Sequence, residues 1–135
     1  MVTIRQCDYT PAIHAADVAA FGDSYALSRP DTLWWAARDG GKLAGFCGLE
    51  IERGERIGFL CRAWVSPKYR GRRIQSRMIR ARESAARQAG LMRTVTYTSH
   101  GNCQSANSLI RCGYRMYTPE WAWGLDYCNY WFKVL

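Results

Sequence analysis

The apolar residues of this chain fall into short runs of strand length, separated by polar or glycine-containing turns. Val2–Arg5 predicts a first strand. Thr10-Pro11 predicts the start of a helix, because threonine caps a helix and proline suits its first turn. The polar region 22–31 predicts a short helix or a loop. Residues 33–51 predict a hairpin around Asp39-Gly40-Gly41, since Asp-Gly and Gly-Gly tolerate the positive φ of a tight turn.

The second half of the chain begins with an apolar run, 57–65, that predicts an inner strand. After Gly71, apolar residues recur at helical spacing at Ile74, Met78 and Ala85, which predicts an amphipathic helix ended by Ala89-Gly90. The remaining predicted elements are a strand at 93–98, a helix at 102–112, and strands at 114–117 and 127–134.

These elements alternate in the order β-α-(α)-β-β-β-α-β-α-β-β and predict an α/β fold. The strand-helix-strand unit from Ile57 to Thr98 implies one parallel pair within a largely antiparallel sheet. No repeat, low-complexity tract or linker interrupts the pattern, so residues 1–135 are expected to form one domain. Nearly half of the residues are apolar (48%), which argues against disorder.

Charge and cysteine content narrow the possible partners and location. The formal net charge is +8, and residues 62–93 hold ten basic residues against one acid, Glu83. Such a run fits either a solvated helix face or a surface that attracts anions or nucleic acid. Six cysteines form no CxxC pair, and His14 and His100 complete no zinc spacing, so we expect reduced thiols and no metal site. A cytoplasmic protein without signal peptide or membrane span is expected.

The segment from Val65 to Ile79 carries the clearest chemical signal. A buried strand leads through a turn containing Gly71 into a helix, and the start of a helix presents unpaired backbone N–H groups and the positive end of its dipole. Arg70, Arg72 and Arg73 lie beside this start. The segment therefore predicts an anion site for a phosphate-bearing ligand.

The element order and two motifs together resemble the GNAT superfamily of N-acetyltransferases over essentially the whole chain. The family signature, Arg/Gln-x-x-Gly-x-Gly/Ala at the start of the long helix, is similar to Arg70-Gly71-Arg72-Arg73-Ile74-Gln75. A second family feature, an asparagine about eleven residues before a Gly-aromatic pair, is similar to Asn102 and Gly113-Tyr114. The implied fold is a mostly antiparallel mixed sheet with a splayed parallel strand pair, flanked by helices.

Three positions depart from the family pattern. Arg73 and Gln75 replace the small residues of the signature, where glycine normally allows the backbone to approach a pyrophosphate. We expect cofactor binding to be retained, because the backbone N–H of Gln75 still donates and Arg73 adds a positive charge. Leu109 stands where many members carry a tyrosine that protonates the departing thiolate, so no such acid is predicted here.

The resemblance implies direct transfer of an acetyl group from acetyl-coenzyme A to a primary amine, without a metal or a covalent enzyme intermediate. Acetyl-coenzyme A would lie between the strands that end near Val65 and Thr98. An N–H of the first of these strands would stabilise the developing oxyanion. The implied cofactor-binding residues are Ala63, Trp64, Val65, Arg70, Gly71, Arg72, Arg73, Ile74, Gln75, Asn102 and Ser105.

A lysine-like amine must lose a proton before it attacks, so a base is needed. The strand 57–65 carries no carboxylate. Glu50 and Glu52 at the end of the neighbouring strand are candidates, as is His100, which titrates in a useful range. Each is also consistent with a surface role, and a water relay would suffice. Cys61 and Cys103 have no adjacent histidine and are interpreted as packing residues.

The acceptor is not identified by the sequence. Six aromatic residues cluster near the C-terminus and fit either core and dimer contacts or an acceptor pocket, which would favour a flat or hydrophobic acceptor; they are Tyr117, Trp121, Trp123, Tyr127, Tyr130 and Trp131. Asp23 and Asp31 are candidates to hold a cationic amine. Three alternatives remain open: a basic nucleic-acid-binding module without catalysis, a coenzyme A-binding protein without turnover, and a transferase that acts on nucleic acid or nucleotides. A homodimer is compatible with each.

Overall fold

The computed structural model describes the backbone of residues 1–135 and the side chains of residues 1–26 and 29–135. The elements, in chain order, are β1 (Val2–Cys7), α1 (Pro11–Phe21), α2 (Tyr25–Ser28), β2 (Leu33–Asp39), β3 (Lys42–Glu52), β4 (Ile57–Val65), a 3-10 turn (Pro67–Tyr69), α3 (Ile74–Gln88), β5 (Arg93–Ser99), α4 (Cys103–Arg111), β6 (Arg115–Tyr117) and β7 (Cys128–Val134). The predicted order is confirmed, and the 3-10 turn is the one element that the sequence pattern did not predict.

The strands form one seven-stranded sheet in the order β1-β2-β3-β4-β5-β7-β6. Neighbouring strands are antiparallel except β4 and β5, which are parallel because α3 crosses over between them. The mixed α/β sheet with one parallel pair expected from the sequence is therefore confirmed. The hairpin around Gly40 is also confirmed, with φ of 60° at that glycine.

The parallel pair separates soon after it begins. β4 and β5 pair only from Ile57 to Phe59 and from Arg93 to Val95. Beyond these residues β4 runs on to Val65 along β3, whereas β5 runs on to Ser99 along β7. The two strands consequently diverge, and the gap between them is open to ligands at the middle of the sheet.

A β-bulge in β4 lies at this gap. Gly48 faces Cys61 and Phe46 faces Trp64, so β4 has one residue more than β3 in this interval, and Arg62 takes a positive φ of 42°. The buried guanidinium of Arg82, on α3, stabilises the bulge. Its Nη1 donates to the carbonyl oxygens of Gly48 (3.1 Å) and Cys61 (3.5 Å), and so joins β3 to β4 at this point.

Helices cover both faces of the sheet. α3 and α4 pack on one face over a core that includes Leu49, Met78 and Trp131, and α1 packs on the other face over Trp34 and Phe46. Within the described residues, no helix is long and apolar enough to cross a membrane.

The helix faces explain one difference from the sequence pattern. Arg82 and Glu83 are buried although they belong to the basic run, since Arg82 binds strand carbonyls and Glu83 pairs with Lys133 of β7 at 3.1 Å. All six cysteines are free thiols, and Cys47, Cys61 and Cys112 are buried.

Candidate functional site

An outer cleft of about 620 Å³ lies beside the end of β4 and the start of α3. Its lining comes from β4, the 3-10 turn, the first residues of α3 and one side of α4: Ala63, Trp64, Val65, Tyr69, Arg70, Gly71, Arg73, Ile74, Gln75, Asn102, Gln104, Ser105, Asn107, Ser108 and Arg111. Of the eleven residues predicted to bind a cofactor, ten line this cleft, and Arg72 does not.

The start of α3 faces the outer cleft without a side-chain cap. Its N-cap is Arg73, in the left-handed conformation with φ of 58°, and the first turn contains no acidic residue. Gly71, with φ of 79°, turns the chain into the helix, and a Cβ built there would meet nothing within 4 Å. The amides of the first turn are therefore available to an anion, and the helix dipole favours negative charge at this position.

Three arginines of the turn have different roles in the structure. Arg70 Nε donates to the carbonyl oxygen of Val65 at 3.1 Å and so ties the turn to the end of β4. Arg72 instead stacks over the ring of Tyr69 at 5.1 Å and does not line the cleft. Arg73 lines the cleft, as does Arg111 in the last turn of α4. The cleft thus presents both main-chain amides and positive charge.

An inner cavity of about 440 Å³ fills the gap between β4 and β5. It shares Ala63, Gln75, Asn102 and Ser105 with the outer cleft, so the two spaces are adjacent beside the bulge. Its remaining lining residues are Phe21, Asp23, Tyr25, Phe59, Leu60, Cys61, Arg62, Ile79, Arg82, Thr96, Tyr97, Thr98, Ser99, Leu109 and Leu125. The outer cleft and the inner cavity are therefore neighbours across these four residues.

Arg62 carries a charge into the inner cavity from the bulge. Its Nη1 donates to Asp17 Oδ1 at 3.3 Å, and its Nη2 donates to Asp23. The guanidinium also lies over the rings of Phe21 (4.5 Å) and Tyr25 (5.0 Å). Asp17 is fully buried, so this arginine provides the charge that such a carboxylate requires.

Aromatic side chains form the opposite part of the cavity wall. Phe59 of β4 and Tyr97 of β5 stack with ring centroids 5.8 Å apart, directly where the parallel pairing ends. Trp123, from the loop between β6 and β7, packs edge-on against both rings at 5.6 Å. Leu125 of the same loop lines the cavity. Aromatic and aliphatic side chains thus form part of the wall of the inner cavity.

Glu50 is the candidate base that the structure connects to the inner cavity. It lies opposite Phe59 in the β3–β4 ladder, so both side chains point to the same face of the sheet. Its carboxylate accepts a hydrogen bond from the hydroxyl of Tyr25, which lines the cavity, and Arg29 Nε lies 3.7 Å away. Burial, the largest cause, raises the pKa of Tyr25 well above its usual range, so this phenol stays protonated at neutral pH.

Glu52 and His100 lie outside the lining of both spaces. Glu52 is exposed and accepts the backbone N–H groups of Gly54 (3.2 Å) and Glu55 (2.6 Å) in the turn after β3. His100 is exposed in the turn after β5, where its backbone N–H donates to the carbonyl oxygen of Tyr127 at 3.0 Å. Of the two acids proposed to hold an amine, Asp23 lines the inner cavity and Asp31 does not.

The C-terminal aromatic cluster divides between core and surface. Trp131 is buried in the core, where its indole N–H donates to Thr98 Oγ1 at 2.9 Å, and Tyr130 is also buried. Trp123 packs edge-on against the rings of Phe59 and Tyr97. Trp121 and Tyr127 are 70% and 84% exposed. None of the six lines either space, and Leu125 is the residue of this region that does.

Sequence reasoning missed Tyr25, Arg62 and Asp17 as site residues. A signal existed for Asp17, which follows Ile13 by four residues and therefore lies on the buried face of α1. Arg62 belongs to the basic run and has no local feature that separates it from the other arginines, and nothing local marks Tyr25. Cys61 lines the cavity, but burial raises the pKa of its thiol to about 12, which keeps it neutral and fits the packing role expected.

Comparison with known proteins finds the same architecture. Residues 1–114 match the Acetyltransferase (GNAT) family. A Klebsiella pneumoniae protein described as an acyl-CoA N-acyltransferase is 21% identical, with a TM-score of 0.85 over 100% of this chain and 98% of its own. A Bacillus subtilis acetyltransferase in complex with CoA is 13% identical, with a TM-score of 0.81 over 100% and 99%. The PaiA N-acetyltransferase of Thermoplasma acidophilum, also in complex with coenzyme A, is 14% identical, with a TM-score of 0.76 over 100% and 99%. No curated protein sequence matches the chain.

Proposed function

Because the chain belongs to the GNAT family of acetyltransferases and is thus an acyltransferase, we propose that it transfers an acetyl group from acetyl-coenzyme A directly to a primary amine. The observation that carries the proposal is that the outer cleft and the inner cavity share four lining residues, among them Ala63 beside the bulge of β4. A thioester that enters from the outer cleft then meets an amine that enters from the other side of the sheet.

The outer cleft suits the phosphates and the pantetheine arm of the cosubstrate. The amides at the start of α3 and the positive charges of Arg73 and Arg111 bind the pyrophosphate. The end of β4, from Ala63 to Val65, lies along the pantetheine arm, and Asn102 and Ser105 of α4 lie across from it. Asn102 itself is the N-cap of α4, since its side chain accepts the Ser105 N–H at 3.3 Å.

The chemistry requires the amine nitrogen to attack the thioester carbonyl carbon while the carbonyl oxygen gains negative charge. A backbone N–H at the bulge stabilises that charge, because a bulge leaves backbone groups outside the ladder. The C–N bond forms and the C–S bond breaks. The amine proton passes through the hydroxyl of Tyr25 to Glu50. The departing thiolate takes its proton from solvent, since Leu109 has no proton to give.

Calorimetric titration with acetyl-coenzyme A, with dephospho-coenzyme A alongside, tests the cosubstrate. We expect micromolar binding by the wild type and loss of binding by Gly71→Asp, which places a carboxylate in the path of the pyrophosphate. Gly90→Asp is the matched control, because Gly90 also has a positive φ (77°) with open space around it but lies at the far end of α3. The proposal fails if the wild type does not bind at millimolar concentration or if both variants bind normally.

A further inference from the structure

The residues that line the inner cavity indicate which class of amine it can accept. Its lining contains three charged side chains among the described residues: Asp23, Arg62 and Arg82. Arg82 is 2% exposed and its guanidinium binds the carbonyl oxygens of Met78, Gly48 and Cys61. Arg82 is therefore a fixed part of the cavity wall. Its described hydrogen-bond partners are backbone carbonyl oxygens, so no carboxylate beside it is available to a ligand.

Arg62 and its partners leave one small region of negative charge. Arg62 neutralises the buried Asp17, which also accepts the backbone N–H of Tyr25 at 3.0 Å. Asp23 is the second carboxylate on the same guanidinium, and its side chain is 70% exposed. Arg62 balances one of these two aspartates, and Asp23 is the one that is exposed to solvent. Asp23 is also the one carboxylate among the described lining residues, so the lining attracts one ammonium group.

The rest of the acceptor side is apolar and aromatic. Phe59, Tyr97 and Leu125 line it, and Trp123 holds the two rings in place from outside. Gly124 allows this loop to approach, since a Cβ there would lie 2.9 Å from the Tyr97 ring. Partly exposed rings fixed in this way bind a flat apolar group without a large loss of side-chain entropy.

We infer that the acceptor is a small molecule with one amino group and one flat apolar group, such as an arylalkylamine; this inference rests on the proposed function. Its ammonium group is attracted by the exposed carboxylate of Asp23, and its ring packs on Phe59 and Tyr97. The proton is lost to the Tyr25–Glu50 pair on the same face of the sheet as Phe59. Tyr97 is the residue that selects the ring.

The test compares 2-phenylethylamine, butylamine and spermidine as acceptors, with release of the coenzyme A thiol as the readout. Burial of an aromatic ring predicts a kcat/KM for 2-phenylethylamine about tenfold or more above that for butylamine. Tyr97→Ala lowers the ratio of kcat/KM for 2-phenylethylamine to kcat/KM for butylamine to about one, because the aromatic ring of the acceptor loses its packing partner. Tyr97→Phe keeps the advantage. Tyr127→Ala, at an 84% exposed tyrosine outside the cavity, is the matched control and changes neither value.

Spermidine or butylamine as the better acceptor overturns the inference, as does an equal loss for every amine in Tyr97→Ala. Calorimetric titration of 2-phenylethylamine into the protein saturated with coenzyme A separates this failure from that of the proposed function. Binding there that Tyr97→Ala abolishes supports the acceptor class even if turnover is slow. Absence of binding, while coenzyme A binds, overturns the acceptor class and leaves the transferase intact.

Discussion

Arg73 is held in a backbone conformation that costs energy for any residue with a side chain. It stands at the N-cap of α3 with φ of 58°, and a left-handed residue other than glycine costs about 1 kcal/mol. The family resemblance prefers glycine at this position, and the structure gives the physical reason. The arginine is compatible with the fold because its Cα carries the side chain into the open outer cleft instead of into the core.

Arg73→Gly is therefore expected to raise the free energy of unfolding by about 1 kcal/mol. Affinity for acetyl-coenzyme A should fall by no more than about fivefold, since one exposed charge is lost and the amides stay in place. Urea unfolding and calorimetric titration measure the two effects. Arg72→Gly is the control, because Arg72 has no positive φ and packs on Tyr69; that variant should lose stability. Equal stability changes in the two variants would contradict the explanation.

The proton acceptor can also be tested one residue at a time. Glu50→Gln is expected to lower kcat by about a hundredfold or more and to remove the rising limb of kcat against pH, since the amide cannot take the proton. Glu52→Gln is the matched control on the same strand, because Glu52 caps a turn, and His100→Gln is a second control. A loss confined to either control would assign the base there instead.

At the scale of elements, the bulge in β4 and the divergence of β4 from β5 create the site. Gly45 of β3 permits the bulge: a Cβ there would lie 2.6 Å from the carbonyl oxygen of Trp64, a backbone atom that cannot move without moving β4. Gly48 is the next glycine along β3, and its carbonyl oxygen accepts a hydrogen bond from Arg82. The sequence of β3 is thus adapted to the shape of β4.

Gly45→Ala is expected to lower the free energy of unfolding by about 2 kcal/mol, as overpacking against fixed backbone does. It should also weaken acetyl-coenzyme A binding, because displacement of Trp64 shifts the wall of the outer cleft. Gly41→Ala, in the hairpin before β3 with nothing within 4 Å of its Cβ, should stay within about 0.5 kcal/mol of wild type. Urea unfolding of both proteins measures the difference, and a Gly45→Ala protein as stable as Gly41→Ala would contradict this role.

The elements and the outer cleft could be predicted from the sequence because their signals are local. Thr10 caps α1 as expected, its Oγ1 accepting the Ile13 N–H at 3.2 Å, and Asn102 caps α4. The motif around Gly71 lies within a few residues of the anion site that it predicts. The inner cavity could not be predicted in this way. Phe59, Tyr97 and Tyr25 come from three separate elements, and only the paired register of β3, β4 and β5 brings them together.

At the scale of the whole molecule, basic residues that are close together in the sequence lie in different parts of the fold. The basic run from 62 to 93 looks continuous along the chain, but Arg62 and Arg82 line the inner cavity, and Arg77 donates to the carbonyl oxygen of Val2 at 2.9 Å. Arg70 and Arg73 of this run line the outer cleft, together with Arg111 of α4. The other basic residues of the run are exposed outside the cleft: Lys68, Arg72, Arg80, Arg87 and Arg93. Three arginines around one cleft suit a compact polyanion such as a coenzyme.

Charge reversal at two matched arginines tests this distribution. Arg111 and Arg87 both occupy the last turn of a helix, so each reversal to glutamate should cost a similar few tenths to 1 kcal/mol of stability through the helix dipole. Arg111 lines the outer cleft, whereas Arg87 lies about 20 Å along α3 from its start, beyond the Debye length of about 8 Å at physiological ionic strength. Arg111→Glu should therefore weaken acetyl-coenzyme A binding about tenfold at low salt and less at high salt, while Arg87→Glu stays within about twofold. Equal weakening by both reversals would mean that net charge, and not the cleft, attracts the ligand, and the nucleic-acid-binding alternative would then gain support.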